Sequence, residues 1–195
     1  DLVRVGTAVG AHLGSSHPLL VADGAQALWG WVASSRAPAA APGDLVSLAE
    51  QLPKSVQIAV GAPLQGTSGF RESHAQAQRG RRIVELSGRG APITSYGEVA
   101  LVDAMSGDLD LARSFVTAEL GGLSSRGRRE DEERQVLLAV LDAQGGLAAA
   151  AEELGIHRNT VLQRVRRAEE RRGSPATVRV AELHAALRLV HVLGD

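Results

Sequence analysis

Residues 145–173 read GGLAAAAEELGIHRNTVLQRVRRAEERRG. An alanine-rich run, a glycine at 155 and a second run carrying six arginines parse as two short helices joined by a tight turn, the pattern of a helix-turn-helix unit. Ala151 is small enough for two helices to cross closely, and Gly155 permits the turn. Leu154, Ile156, Val161 and Val165 supply the shared core. At 3.6 residues per turn the second helix, about residues 157–171, turns Val161, Val165 and Ala168 inward. Asn159, Gln163, Arg166 and Arg167 fall on the opposite side. Asn and Gln pair bidentately with adenine and Arg with guanine, and the first turns of such a helix are what reach base edges in the major groove. Residues 157–173 hold six arginines against two glutamates, a net charge of plus four that attracts phosphate. Thr160 and Arg164 flank the reading face, where phosphates lie. His157, at the start of the helix, suits either a cap or a phosphate donor. The bland alternative is a solvated arginine face on a surface helix; the combined pattern favours DNA.

Outward from this stretch, composition sets the bounds. A length of 195 residues suffices for two compact units. The absence of cysteine removes disulfides, thiolate zinc sites and cysteine nucleophiles. The apolar runs fall short of the roughly 20 residues a bilayer span needs, and no basic-then-apolar leader opens the chain, so a cytoplasmic protein with no membrane partner is expected. Asp1 stands where an initiator Met would be. A longer polypeptide, with a sensing portion for a small-molecule effector ahead of it, is therefore expected. The formal net charge of −1 gives no global signal for nucleic acid, and Lys54 is the one lysine among 21 basic residues, so the distribution of arginines matters more than the total.

In the first part, residues 2–13 pattern as an amphipathic helix. The runs LLVAD and AQALWGWVA flank Asp23-Gly24, a pair suited to a two-residue hairpin turn with both residues at positive φ. An Ala/Pro loop follows at 37–42, a short helix at 44–51 capped by Asp44, and a buried strand at 55–61, SVQIAVG. Phe70, Ala77 and Val84 recur at a spacing of seven with small Ser73 and Gly80 between, which predicts an amphipathic helix over 70–86 with this face on the sheet and Arg71, Gln76, Arg79 and Arg82 toward water. Ile93-Thr94-Ser95 reads as an edge strand, and 97–106 and 108–120 as helices. Interleaved strands and helices give an α/β sandwich. The charged, small-residue stretch 123–134 is expected to be an exposed linker turning into helix, followed by a helix at VLLAVLDA and a last helix over 180–193 with Leu183, Leu187 and Val190 on one face.

His157-Arg158-Asn159-Thr160-Val161, with Arg164-Val165, Glu169-Glu170, Gly173 and the closing Leu183-His184-Ala185-Ala186-Leu187, resembles the C-terminal helix-turn-helix of PucR-type bacterial regulators of purine catabolism and sugar-diacid use, over residues 131–193. Residues 17–122 resemble more weakly the degenerate GGDEF-like domain of the CdaR type that precedes it, through SVQIAVGAP, GTSGFRESHAQAQRG and the exit Glu119-Leu-Gly-Gly-Leu123. The resemblance implies an α+β chain: a GGDEF-like regulatory or dimerisation domain over 1–122, a linker at 123–134, and an all-helical DNA-binding domain over 131–195. It further implies an intracellular homodimer on double-stranded DNA, with no cofactor. Two departures stand out. The family usually carries Arg-Tyr where Leu162-Gln163 stands here. The hairpin reads Ala22-Asp-Gly-Ala-Gln26 instead of Gly-Gly-Asp-Glu-Phe, without the paired carboxylates that hold Mg²⁺, so cyclase activity is not expected.

Other constellations carry less. Residues 61–67, GAPLQGT, sit between strand and helix as a phosphate loop would, yet have no lysine after the second glycine, so a plain turn capped by Thr67 or Ser68 is expected. His12, His17, His74, His184 and His191 are too scattered for a metal site, and no hydrolase signature appears. The rival reading of the whole is an α/β domain that binds a small molecule or nucleotide effector, with the helical end as its output.

Overall fold

The computed structural model describes residues 2–33, 48–49, 52–87 and 92–194. Backbone contacts divide it into two units, residues 1–82 with 90–98 and residues 83–89 with 99–195.

The first unit is built around a hairpin of β1 (Leu19–Asp23) and β2 (Ala27–Trp31), preceded by α1 (Leu2–His12). The register pairs Leu20 with Gly30 and Ala22 with Leu28 on one face, and Leu19 with Trp31 and Val21 with Trp29 on the other. Alternation then decides what covers each face. Gly6 of α1 lies so close to Leu20 and Leu28 that a Cβ there would stand 2.9 Å from a methyl of each. The opposite face stacks Trp31 on Phe70, ring centroids 5.1 Å apart, and sets His74 edge-on to Trp29 at 4.7 Å. Asp23 pairs with Ala27, which leaves the three residues Gly24, Ala25 and Gln26 as the loop instead of the expected two. Within it only Gly24 has positive φ, at 70°.

β3 (Ile58–Val60) and β4 (Ile93–Ser95) pair in parallel, with Ile58 opposite Ile93. α2 (Gly66–Ser87) crosses them on a stripe of small residues: Gly80 faces Ala59, and a Cβ on Gly61 would stand 2.0 Å from the Ser73 carbonyl oxygen. Close approach of strand end and helix therefore requires Gly61. Ser73 and Gly80 thus lie on the sheet face where they were expected, and the seven-residue stripe needs correction at Phe70. Val84 is buried and Ala77 half-buried, but Phe70 is 46% exposed because it leans sideways onto Trp31. α2 begins at Gly66, so Thr67 and Ser68 lie inside its first turn and do not cap it, and the Ala62 N–H of the preceding loop donates to Gln76 Oε1 at 2.9 Å. Among the described residues the strands form two two-stranded sheets, where one sandwich sheet was expected. The expected Ala/Pro loop at 37–42 lies outside the described residues. So does the expected helix at 44–51, except for Leu48 and Ala49, which are helical.

The second unit is helical: α3 (Tyr96–Met105, from Val99 onward), α4 (Leu109–Leu120), a 3₁₀ turn (Gly121–Ser124), α5 (Arg128–Asp142), α6 (Leu147–Leu154), α7 (Arg158–Arg172) and α8 (Val180–Leu193). Asp108 caps α4, its carboxylate accepting from the Asp110 and Leu111 N–H groups. One core joins Leu120, Leu123, Leu137, Leu138, Ala168, Leu183, Ala186 and Leu187, with Val190 packed against it. Thus Leu183, Leu187 and Val190 share the inner face of α8. Residues 123–134, expected as exposed linker turning into helix, do become helical from Arg128, but they include buried Leu123, Glu133 and Arg134. The buried Arg134 is satisfied internally: it donates to the Leu123 and Ser125 carbonyls at 2.7 and 3.0 Å and pairs with Asp131.

Candidate nucleic-acid interface

Ala150 and Ala151 turn inward from α6, the first fully buried and the second nearly so, while Ala148 and Ala149 are exposed, and the helix ends at Gly155 in the left-handed region (φ 62°, ψ 30°). The Ile156 N–H reaches back to the Ala151 carbonyl at 3.0 Å and the Gly155 N–H to that of Glu152 at 3.2 Å. Paired bonds of this kind satisfy the last carbonyls of a helix and turn the chain sharply, at a position where a side chain at Cβ is disfavoured. His157 then caps α7: its backbone is extended and its ring Nδ1 accepts from the Asn159 N–H at 3.1 Å. With Nδ1 accepting, the ring proton sits on Nε2.

Three helices hold this turn. Val161 is fully buried among Val136, Ala139 and Val140 of α5 and Ala150 and Ala151 of α6, with Leu147, Leu154, Ile156 and Val165 packed around them. Ala168, one turn beyond Val165, enters the larger core. The inward positions expected from the helical period are therefore the ones that pack, and the opposite side of α7 is turned outward. His157, Arg158, Asn159, Gln163, Arg166 and Arg167 are exposed, while Thr160 and Arg164 are half-buried at the flank. Of the unusual pair Leu162-Gln163, Leu162 is half-buried and Gln163 exposed.

The six arginines divide into two sets, a distinction that composition cannot show. The side chains of Arg158, Arg166 and Arg167 make no ion pair or hydrogen bond among the described residues. The other three are engaged by acids of the same unit. Arg164 Nη2 lies 2.9 Å from Glu132 Oε2, and Arg171 Nε lies 2.8 Å from Glu133 Oε2 while its Nη1 pairs with Glu130. Arg172, whose side chain is 2% exposed, pairs with the Glu119 carboxylate and also donates to the Glu119, Pro175 and Val178 carbonyls. Arg179 Nε pairs with the second oxygen of Glu119 at 2.9 Å. Burial pushes the Glu119 carboxyl up, but the hydrogen bonds and charges of Arg172 and Arg179 outweigh it and hold the group below the usual carboxylate value.

The stretch Glu119-Leu-Gly-Gly-Leu123 is thereby placed in the helical unit. Leu120 and Leu123 are core residues. Gly121, at φ 54°, and Gly122 admit the end of α7 so closely that a Cβ on either would stand within 2.9 Å of the Arg172 or Arg171 carbonyl oxygen. His184 and Arg188 fasten α8 to α5, each 2.7 Å from Asp142 Oδ1. Glu119 was named from sequence only as the start of this exit stretch and not as an ion-pair partner, and Glu130, Glu132 and Glu133 were not singled out. The one available signal was the run of acids at 130–133 facing the run of arginines in α7, which pairs only once the helices are known to be neighbours.

Two close-packed helices around a glycine turn, a third helix bracing them and a basic, unpaired outer face define a helix-turn-helix domain of the DNA-binding class. Residues 134–189 match the family model of the PucR C-terminal helix-turn-helix domain, and residues 2–83 match that of a GGDEF-like domain. The chain thus pairs a GGDEF-like domain with a C-terminal helix-turn-helix domain of the PucR type, in the order the sequence resemblance implies. No curated protein matches the chain. Among the described residues, no helix is long and apolar enough to cross a membrane.

Proposed function

We propose that the chain is a sequence-specific transcription regulator that lays α7 in the major groove of double-stranded DNA. The observation that carries this reading is the orientation of α7: Val161 and Ala168 are buried against the scaffold, while His157, Arg158, Asn159, Gln163, Arg166 and Arg167 are presented together on the outside. In this reading Asn159 and Gln163 pair with adenine edges, and Arg166 and Arg167 pair with guanine. Arg158 and Thr160 contact the phosphates beside the groove. His157 keeps its Nδ1 on the cap and offers Nε2–H to a phosphate, so its two sequence-expected roles coexist. Arg164 reaches a phosphate only by exchanging Glu132 for it.

Two copies of the chain would read half-sites one helical turn, about 34 Å, or a multiple of it apart. The GGDEF-like part then serves as a regulatory or dimerisation domain and not as a cyclase, since Asp23 is the one carboxylate of its hairpin and is held by Arg81 at 3.3 Å.

Salt dependence tests the electrostatic half of the reading. On random-sequence duplex, replacing Arg158, Arg166 and Arg167 together by Gln should flatten the slope of log affinity against log salt by about 2.7, at about 0.9 per phosphate neutralised. A triple variant with the wild-type slope contradicts it.

A further inference from the structure

The acids of α5 that face α7 are not equivalent. Arg171 is held by Glu130 and Glu133, whose side chains are 15% and 5% exposed, so this pair is part of the packed structure. Glu132 differs. Its Oε2 lies 2.9 Å from Arg164 Nη2 and its Oε1 lies 3.1 Å from Arg128 Nε, one guanidinium on each oxygen. The side chains of Arg164 and Glu132 are 29% and 35% exposed, and that of Arg128 is 92% exposed. Both pairs are thus open to water and to an incoming anion. Arg164 lies one turn from Thr160 and nearly one from Arg167, on the flank of α7 that borders its outward face. A carboxylate in this position offers a guanidinium the same kind of ligand as a backbone phosphate, an anion with two oxygens spaced for its fork.

We propose that Glu132 is an electrostatic latch that competes with DNA phosphate for Arg164 and Arg128. The proposal rests on the DNA-binding reading above. With the latch closed, α7 meets DNA with Arg158, Arg166 and Arg167 alone, which limits sequence-independent attachment and leaves a larger share of the binding free energy to base contacts. Pairs this exposed are weak, so closing the latch changes the affinity by only a small factor.

The test is a salt titration of the full chain on fluorescein-labelled random-sequence duplex with wild type, Glu132→Gln, Arg164→Gln and the double variant. Glu132→Gln should bind about two- to fivefold more tightly, with a slope of log affinity against log salt steeper by about 0.9 for each arginine released. Arg164→Gln alone should keep the wild-type slope, and adding it to Glu132→Gln should remove about 0.9 of the gain. Glu153→Gln, on the exposed side of α6, measures what loss of any negative charge does and should leave the slope unchanged. A Glu132→Gln slope equal to wild type overturns the latch. So does a flatter slope in Arg164→Gln alone, which would place Arg164 on phosphate already; this arm decides the matter even if Glu132→Gln fails to fold by circular dichroism. A wild type that binds no duplex overturns the DNA-binding reading and the latch with it.

Discussion

Arg172→Ala should destabilise the helical unit by about 3–5 kcal/mol, measured by chemical denaturation, the cost typical of removing one partner from a buried ion pair. The reason lies in what Arg172 leaves behind. Its guanidinium fills the space between the end of α4, the end of α7 and the segment 173–179, bonding the Glu119, Pro175 and Val178 carbonyls as well as the Glu119 carboxylate. Without it the Glu119 side chain, 6% exposed, keeps only Arg179, itself 57% exposed. Acid should reproduce part of the loss. Burial raises the Glu119 carboxyl, but Arg172 and Arg179 lower it further, so its folded value lies below its unfolded one. The unfolded chain therefore takes up the proton first on acidification. The stabilisation is complete above the ordinary carboxylate value and is lost as pH falls through the lowered folded value. Glu119→Gln should flatten this acid limb of a stability–pH curve; an unchanged limb would show that another carboxylate is responsible.

The second large effect concerns recognition. Asn159→Ala combined with Arg166→Ala should reduce preference for a site selected from random duplexes by about 2–6 kcal/mol, or thirty-fold to beyond ten-thousand-fold, as two bidentate base contacts at about 1–3 kcal/mol each disappear. Both side chains are exposed and neither packs in a core, so the melting temperature should stay near wild type. Affinity for random DNA should fall much less, since one arginine contributes a single phosphate contact there. Selection and a competition titration measure the ratio, and full retention of discrimination in the double variant would remove Asn159 and Arg166 from the reading face.

What the sequence made legible follows from range. The turn at Gly155, the cap at His157 and the inward set Val161, Val165 and Ala168 depend on local backbone geometry and a 3.6-residue period, and they emerge directly from residues 145–173. The hairpin strand LLVAD was legible for the same reason, because alternation is local, whereas its loop length depends on the register that pairs Asp23 with Ala27. Long-range pairing was not legible. Arg172 and Glu119 are 53 positions apart, Arg171 and Glu130 are 41 apart, and an arginine that is buried and paired looks in sequence like one that is exposed and unpaired. Phe70 fell on the expected helix but off the expected face, since Trp31, 39 residues earlier, offers it a stacking surface outside the core. The charge available to DNA was thus overestimated by counting: six arginines in the stretch become three on the outer face.

The most direct test of major-groove reading by α7 is methylation interference with dimethyl sulfate on a duplex selected by the wild-type protein. Guanine N7 lies in the major groove and adenine N3 in the minor groove. Methylation at guanine N7 within the selected site should block binding, with adenine N3 methylation there having little effect, and replacing Arg166 by Ala should relieve the block at one guanine. Interference confined to adenine N3, with guanine N7 methylation tolerated throughout, would contradict the placement of α7 in the major groove.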